Sequence, residues 1–248
     1  MEQAIKHKAV SGMLWTGFER LGTQLIQFVI SVFIARILLP DDYGLIGMLV
    51  IFMGIAQTFI DSGFANALIQ KKDPNQDDFS TVFYFSIATA ALFYCILFFS
   101  APFIAEFYHQ PLLTQVTRVY MLTLLINGLS ISQTAKLTID LDFRTQAIIS
   151  IASIFISGSI GIFLAYSGYG VWALVWQGLS MSMTRTVSTW IASRWMPLWS
   201  FSIESFKKLF SFGGKLLVSS LINNIYSNIS TLIIGKAYQS TDLGFYTR

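Results

Sequence analysis

The sequence is short of charge. Only 12% of its 248 residues are Asp, Glu, Lys or Arg, against 54% hydrophobic, where a soluble domain carries roughly 25% charged residues to cover its surface. That shortage excludes a water-soluble globule. A single cysteine cannot close an internal disulfide, which removes the extracellular disulfide scaffold. The two histidines, His7 and His109, fall in different expected compartments without ligand-spaced neighbours, so no metal centre is expected. No Gly-rich phosphate loop is present, and no Ser, His and Asp set falls on one side of a membrane. The net charge of +3 is spread among loops, which argues against nucleic acid as a partner. No catalytic residue and no cofactor are expected.

What the chain has in abundance is apolar length. Seven runs, at about 12–39, 43–64, 79–103, 116–137, 148–166, 171–192 and 214–235, match the roughly 20 residues that cross a bilayer core of roughly 30 Å. A barrel strand would be about 10 residues long and would alternate in polarity. The predicted fold is therefore all-α, a polytopic transmembrane helical bundle. The first run carries Glu19 and Arg20 and lacks a small-residue cleavage site after it, so it reads as a span and not as a signal peptide.

The loops alternate in base content. Lys6 and Lys8 precede the first span, Lys71 and Lys72 follow the second, Lys136 and Arg144 flank the fourth loop, and Arg194, Lys207 and Lys208 follow the sixth span. The intervening loops are poor in base, and Ser167 to Gly170 has none. Basic residues concentrate on the cytoplasmic side, so the N-terminus is expected to be cytoplasmic. Ile203, Phe206 and Phe210 recur at helical spacing opposite Glu204, Lys207 and Lys208, predicting an interfacial helix over 201–213. Trp190, Trp195 and Trp199 suit an aromatic belt beside it.

A long internal repeat appears when the end of the chain is laid on its beginning. Ile34-Ala35-Arg36 and Asp42-Tyr43-Gly44 match Ile234-Gly235-Lys236 and Asp242-Leu243-Gly244 at an ungapped offset of 200 residues. Arg20, Gln24, Gln27 and Ser31 form a polar stripe on one helix face, and the same offset gives Ser220, Asn224, Ser227 and Thr231, again all polar. The expected organisation is a six-helix N-terminal lobe over 1–200, the linker helix over 201–213, and over 214–248 the first helix of a second, parallel lobe. On this reading the chain is a fragment, and the rest of that C-terminal lobe is a partner from the same parent chain.

Ionisable groups inside spans are the informative residues, since a charge near the bilayer centre costs at least about 2.5 kcal/mol and is kept mostly inside a bundle or cavity. Glu19, Arg20, Asp61, Lys136 and Arg185 gather towards the cytoplasmic half. The functional reading is a polar cavity in which Arg20 and Arg185 attract an anionic group, because the guanidinium fork binds phosphate oxygens bidentately. The alternative is internal pairing, such as Glu19 or Asp61 with Arg185, or snorkelling of rim charges. Uncharged stripes extend the candidate cavity: Thr123, Asn127, Ser130 and Thr134 on the fourth span, and Gln177, Thr184 and Ser188 on the sixth. The same side chains also serve as glue between helices. Ser153, Ser157, Gly158 and Gly161 read as close packing, and Cys95 as packing in an apolar setting. The cavity set is thus Arg20, Gln24, Gln27, Asn127, Gln177, Arg185 and Asn224, with Glu19 and Asp61 as candidates for ion coupling.

Four segments carry a family resemblance. They are Phe33-Ile34-Ala35-Arg36-Ile37-Leu38-Leu39-Pro40-Asp41-Asp42-Tyr43-Gly44, Asp61-Ser62-Gly63-Phe64 with Ala67-Leu68-Ile69-Gln70, Leu141-Asp142-Phe143-Arg144, and Gly168-Tyr169-Gly170-Val171-Trp172-Ala173-Leu174. Physically, Pro40 stops the first helix, Gly44 permits a tight turn, and Asp41 and Asp42 cap the second helix. Together the segments resemble the Wzx-type oligosaccharide flippases of O-antigen and capsule repeat units. These share a superfamily with the multidrug and toxin extrusion exporters and the lipid II flippases. The resemblance implies two six-helix lobes around a central cavity in the bacterial inner membrane. It implies a polyprenyl-pyrophosphate-linked oligosaccharide as substrate, alternating access, membrane lipids as surroundings and polysaccharide polymerase machinery as a neighbour. Two other classes compete. A cation-coupled multidrug exporter would use Asp61 or Glu19 for proton or Na⁺ exchange, and a basic excess in the cavity argues against it. A membrane polymerase or ligase would carry a large outer loop, and every expected outer loop is short.

The base distribution predicts that a cysteine replacing Ser167, in a Cys95→Ser background, reacts with an impermeant thiol reagent only from outside the cell. Labelling from the cytoplasmic side would reverse the topology.

Overall fold

The computed structural model describes residues 2–61, 63–238 and 240–247, and side chains from Gly12 onwards except 13 and 14. Lys6, His7, Lys8 and Ser62, which entered the sequence reading, lie outside the described side chains. The chain is a succession of helices: α1 (Glu2–Ile37), α2 (Pro40–Asp61), α3 (Phe64–Gln70), α4 (Gln76–Phe107), α5 (Leu113–Tyr120), α6 (Leu122–Gly128), α7 (Ile131–Ile139), α8 (Phe143–Tyr166), α9 (Val171–Ser193), α10 (Ile203–Ala237) and α11 (Ser240–Thr247). Among the described residues there is no strand.

Five stretches are long and apolar enough to cross a membrane: Trp15–Ile37, Pro40–Gln70, Gln76–Phe107, Phe143–Tyr166 and Ile203–Ala237. The two other expected spans differ for separate reasons. The sixth corresponds to α9, a full-length helix whose polar residues lower its hydropathy. The fourth is broken into α5, α6 and α7. At the first break the Thr123 hydroxyl donates to the Tyr120 carbonyl at 2.7 Å, and at the second Ser130 donates to the Asn127 carbonyl at 3.0 Å. Such hydroxyls compete with the main chain for its own acceptors and bend or interrupt a helix.

Helix starts are set by side chains that satisfy free amides. Asn75 and Asp78 form a capping box on α4, Asp142 accepts from Thr145 N on α8, and Ser202 accepts from Ser205 N on α10. At α2, Asp42 accepts from Leu39 N at 3.1 Å. Ser202 starts a helix that runs without interruption to Ala237, so the expected interfacial helix is the first part of one rod, continuous with the seventh span.

Hydrocarbon offers no hydrophobic drive for helices to associate, so packing rests on close approach. Glycines supply it. Gly158 lies against Ile30 where α8 meets α1, Gly161 against Gln177 where α8 meets α9, and Gly128 against Ala90 where α6 meets α4, so close that a Cβ on Gly128 would lie 3.0 Å from Ala90 Cβ. Ser153 and Ser157 are buried on the same face of α8, as packing residues. Two cores result. One joins Ile30, Ile34, Ile154 and Ala173 across α1, α8 and α9. The larger joins α2 to α7, α9, α10 and α11, and includes Phe64, its ring 4.5 Å from that of Phe85 and 5.6 Å from that of Phe206.

The segment between α9 and α10 is clasped by the start of α4. Gln76 donates to the Met196 carbonyl at 2.9 Å and accepts from the Trp195 indole at 2.7 Å. Ser200 donates to Asp77 at 2.7 Å, Leu198 N to Ser80 at 2.9 Å, and Ser202 N to Thr81 at 3.0 Å. Trp195 is buried in this clasp and Trp190 donates to the Leu129 carbonyl, so the aromatic belt expected of three tryptophans reduces to Trp199, which is 97% exposed. Cys95 points outwards from α4 and packs against nothing central.

At the opposite end α11 crosses α2 in a contact that maps onto itself at an offset of 200. A Cβ on Gly44 would collide with the Ser240 carbonyl, and one on Gly244 with the Pro40 carbonyl; one on Gly47 would meet Thr247 at 3.0 Å. Ser240 also donates to Asp41. Gly44 therefore sits within α2 under another backbone, where the sequence reading had placed a turn. Replacing Gly44 by Ala should cost about 1–3 kcal/mol by overpacking and lower the melting temperature in detergent. Gly17→Ala is the control, since a Cβ there meets nothing within 4 Å.

Candidate functional site

A cavity of about 520 Å³ opens among the end of α2, one face of α3, the end of α6, the first half of α7 and the middle of α9. Its polar lining is Gln57, Asp61, Asn66, Asn127, Ser130, Thr134 and Arg185. Helical spacing brings Gln57 and Asp61 to one face of α2, one turn apart. Gln57 Nε2 donates to Asp61 Oδ1 at 3.0 Å, and Asn127 Nδ2 donates to Gln57 Oε1 at 3.3 Å. A chain of three side chains thus ties α6 to α2. α9 is fixed beside them by Thr186, which donates to the Ile126 carbonyl at 3.0 Å. That bond presents the neighbouring Arg185 to the cavity.

Arg185 makes no hydrogen bond with another described side chain, although its charge and that of Asp61 interact across the cavity. Asp61 keeps Oδ2 and Asn127 keeps Oδ1 for a further partner. The site therefore offers one guanidinium fork, one carboxylate, and amide and hydroxyl groups. Those groups suit hydroxylated ligands carrying an anionic group. Arg185, Thr134 and Thr189 also line a smaller neighbouring space with Gln146 and Ser150. Ser150 donates to Glu19 at 2.6 Å, so Glu19 of α1 reaches the edge of the polar region through α8.

The expected site residues separate into groups. Asp61, Asn127 and Arg185 come together. Arg20, Gln24, Gln27 and Ser31 lie on an exposed face of α1 and do not line this cavity. Gln177 packs on Gly161 between α8 and α9, and Asn224 packs on Gly54 of α2 and accepts from Asn228 at 3.2 Å. Of the equivalent stripe on α10, Ser220 and Ser227 are exposed and Thr231 is buried. Thr123 is buried away from the cavity, because its hydroxyl serves the helix break. Lys136 pairs with Asp140 at 2.8 Å on the rim. Gln57 carried a signal, its position one turn before Asp61. Asn66 carried none, since the break between α2 and α3 removes the periodicity that would have placed it.

At the far end of the bundle, beyond α4, Tyr108 is buried with its hydroxyl unpartnered among the described residues. Burial pushes its pKa up to about 12. It stays neutral at physiological pH and contributes packing beside Gly235.

The sequence matches the polysaccharide biosynthesis protein family over residues 33–248. The chain belongs to that family. It is 28% identical over 245 residues to the teichuronic acid biosynthesis protein TuaB of Bacillus subtilis, covering 98% of this chain and 51% of that protein. It is 23% identical to the succinoglycan biosynthesis transport protein ExoT of Rhizobium meliloti, covering 94% of this chain and 47% of the relative. With the lipopolysaccharide biosynthesis protein WzxC of Escherichia coli it shares 21% identity, over 98% of this chain and 50% of the relative. The chain spans about half the length of these curated relatives. No solved structure matches. The family membership and the apolar helices make this a multi-pass membrane protein, and the resemblance drawn from the sequence motifs agrees with the relatives found.

The link between Asn127 and Gln57 can be measured. A double-mutant cycle with Gln57→Leu and Asn127→Leu, read by thermal unfolding in detergent, should give a coupling of about 1 kcal/mol. Lys136→Ala, at an exposed pair, should change stability by less than about 1 kcal/mol.

Proposed function

We propose that this chain forms one lobe of a flippase that carries polyprenyl-pyrophosphate-linked oligosaccharide units from the cytoplasmic to the outer leaflet by alternating access. The activity is that of a transporter of the relatives' full length. The observation that carries the reading is the Arg185 guanidinium, which lines a polar cavity of about 520 Å³ and makes no hydrogen bond with a described residue. A charge within a membrane bundle that has no direct partner is a binding group in waiting. Arg185 would receive an anionic group of the substrate. Asp61, Gln57, Asn127, Ser130 and Thr134 would exchange hydrogen bonds with sugar hydroxyls. The volume falls in the roughly 300–1,000 Å³ range of small-ligand pockets. It suits a few sugar units and not a polymer.

The relatives' names support the polysaccharide assignment over drug export. So does the composition of the cavity, since a site for a cationic drug would expose an acid without a competing guanidinium. Asp61 here faces Arg185 and is already engaged by Gln57. Arg20 and its stripe on α1, exposed on the bundle, would meet the substrate or the opposite lobe across the central opening.

The test uses the full-length transporter in cells that depend on it for surface glycan. Arg185→Ala should reduce export at least about tenfold while the protein stays in the membrane, and Arg185→Lys should restore part of it, because a point charge replaces a bidentate fork. Unchanged export in Arg185→Ala would remove the cavity from the mechanism. Loss of folded protein in both variants would make Arg185 a structural ion-pair partner of Asp61.

A further inference from the structure

The end of α2, the lining of the cavity and the middle of α10 meet at one point. Gly63 follows α2 with φ 66° and reverses the chain into α3. A Cβ on Gly63 would lie 2.6 Å from the Gly213 carbonyl oxygen, 3.0 Å from Gly213 Cα and 3.0 Å from Leu216 Cβ. Here main chain bears directly on main chain. On one side of Gly63 stands Asp61, on the other Ala65, Asn66 and Ile69, all of which line the cavity. On its back lies the pair Gly213-Gly214, within a helix of 35 residues. A pair of glycines is one of the few features at which a long helix bends sharply.

The two ends of α10 are held differently. Its start is tied to the first part of α4 by Ser202 N on Thr81, and by Phe206, whose ring lies 5.3 Å from that of Phe85. Its later part is tied to α2 and to the crossing with α11, through Asn224 against Gly54 and Gly235 against Met48 and Leu243. Between these anchorages stand the two glycines, bearing on Gly63.

We propose that Gly63 is the bearing on which α10 pivots at Gly213-Gly214, and that occupancy of the Asp61 and Arg185 cavity sets the angle of the seventh span. The inference rests on the reading of that cavity as the substrate site. A ligand that draws on Asp61 and Asn66 displaces the two helix ends flanking Gly63. The backbone contact passes the displacement to α10 without any side chain between. Because the start of α10 is clasped to α4, the motion appears beyond Gly214.

Gly214→Ala isolates the pivot. The nearest atom to a Cβ there is Phe210 Cε1 at 3.7 Å, an ordinary contact, so the substitution stiffens the helix without a clash. Gly17→Ala on α1, where a Cβ meets nothing within 4 Å in this chain, makes the same change away from α10 and is the control. Spin labels on the native Cys95 of α4 and on Ile222→Cys of α10, in the full-length transporter in liposomes, report the angle without any need for transport. Two distance populations are expected in the parent and in Gly17→Ala, and one in Gly214→Ala. Amide exchange over 209–218 should slow about fivefold in Gly214→Ala, the factor expected for Gly to Ala in a helix. Glycan export should fall at least as much. A single population in the parent, or the same two in Gly214→Ala, would overturn the pivot. So would normal export by a stiffened Gly214→Ala. A parent that moves between two distances but exports no glycan would leave the pivot standing and overturn the flippase reading.

Discussion

Helices in hydrocarbon gain nothing from leaving the solvent, since a neighbouring lipid tail is as apolar as a leucine. The distance of closest approach between backbones then becomes the quantity on which the architecture turns. Gly44 under Ser240, Gly244 under Pro40 and Gly63 on Gly213 are places where one main chain lies directly against another. Each is a site where one methyl group would push two elements apart. The hydrogen-bonded clasp between α4 and residues 195–202 is the polar counterpart. It joins the start of one candidate span to the segment before another, and gives the indole of Trp195 and the amides of Leu198 and Ser202 partners that lipid could not supply.

Much of this was readable from the residues. Runs of about 20 apolar residues imply helices because the bilayer leaves the backbone no other way to satisfy itself. Asp61 and Arg185 stood out by the rarity and cost of charge at depth, and Asn127 by its place on a polar helix face. What was not readable has local causes. The break at Thr123 and Ser130 arises from hydroxyls that turn back on their own helix, and their spacing looks the same as that of a cavity stripe. The polar stripe on α1 lies apart from the described cavity, because polarity marks a face without naming what lies opposite it. Gly44 was assigned to a turn because a glycine needed for close approach and one needed for a turn are the same letter. Asn66 fell outside the argument altogether, since helical periodicity stops at Gly63 and resumes in a new phase.

The polar cavity also explains why its residues are held so differently. Asp61 is engaged on one oxygen by Gln57, which is itself engaged by Asn127, so the acid and the amides are held in place before any ligand. Arg185 makes no hydrogen bond with another described side chain, and its position follows from the packing of Thr186 on α6.

The crossing of α2 with α11 matches itself at its backbone contacts, since a Cβ on Gly44 would collide with the Ser240 carbonyl and one on Gly244 with the Pro40 carbonyl, 200 residues on. An α11 from a second copy of the chain would offer α2 the same partners as the attached one. What favours the attached one is tethering, which raises its local concentration into the millimolar range for a short connection. The linker between α9 and α10, clasped to α4, is therefore also an address. It fixes which of two equivalent surfaces Gly44 meets, and loosening it would let separate chains trade places without changing a single contact.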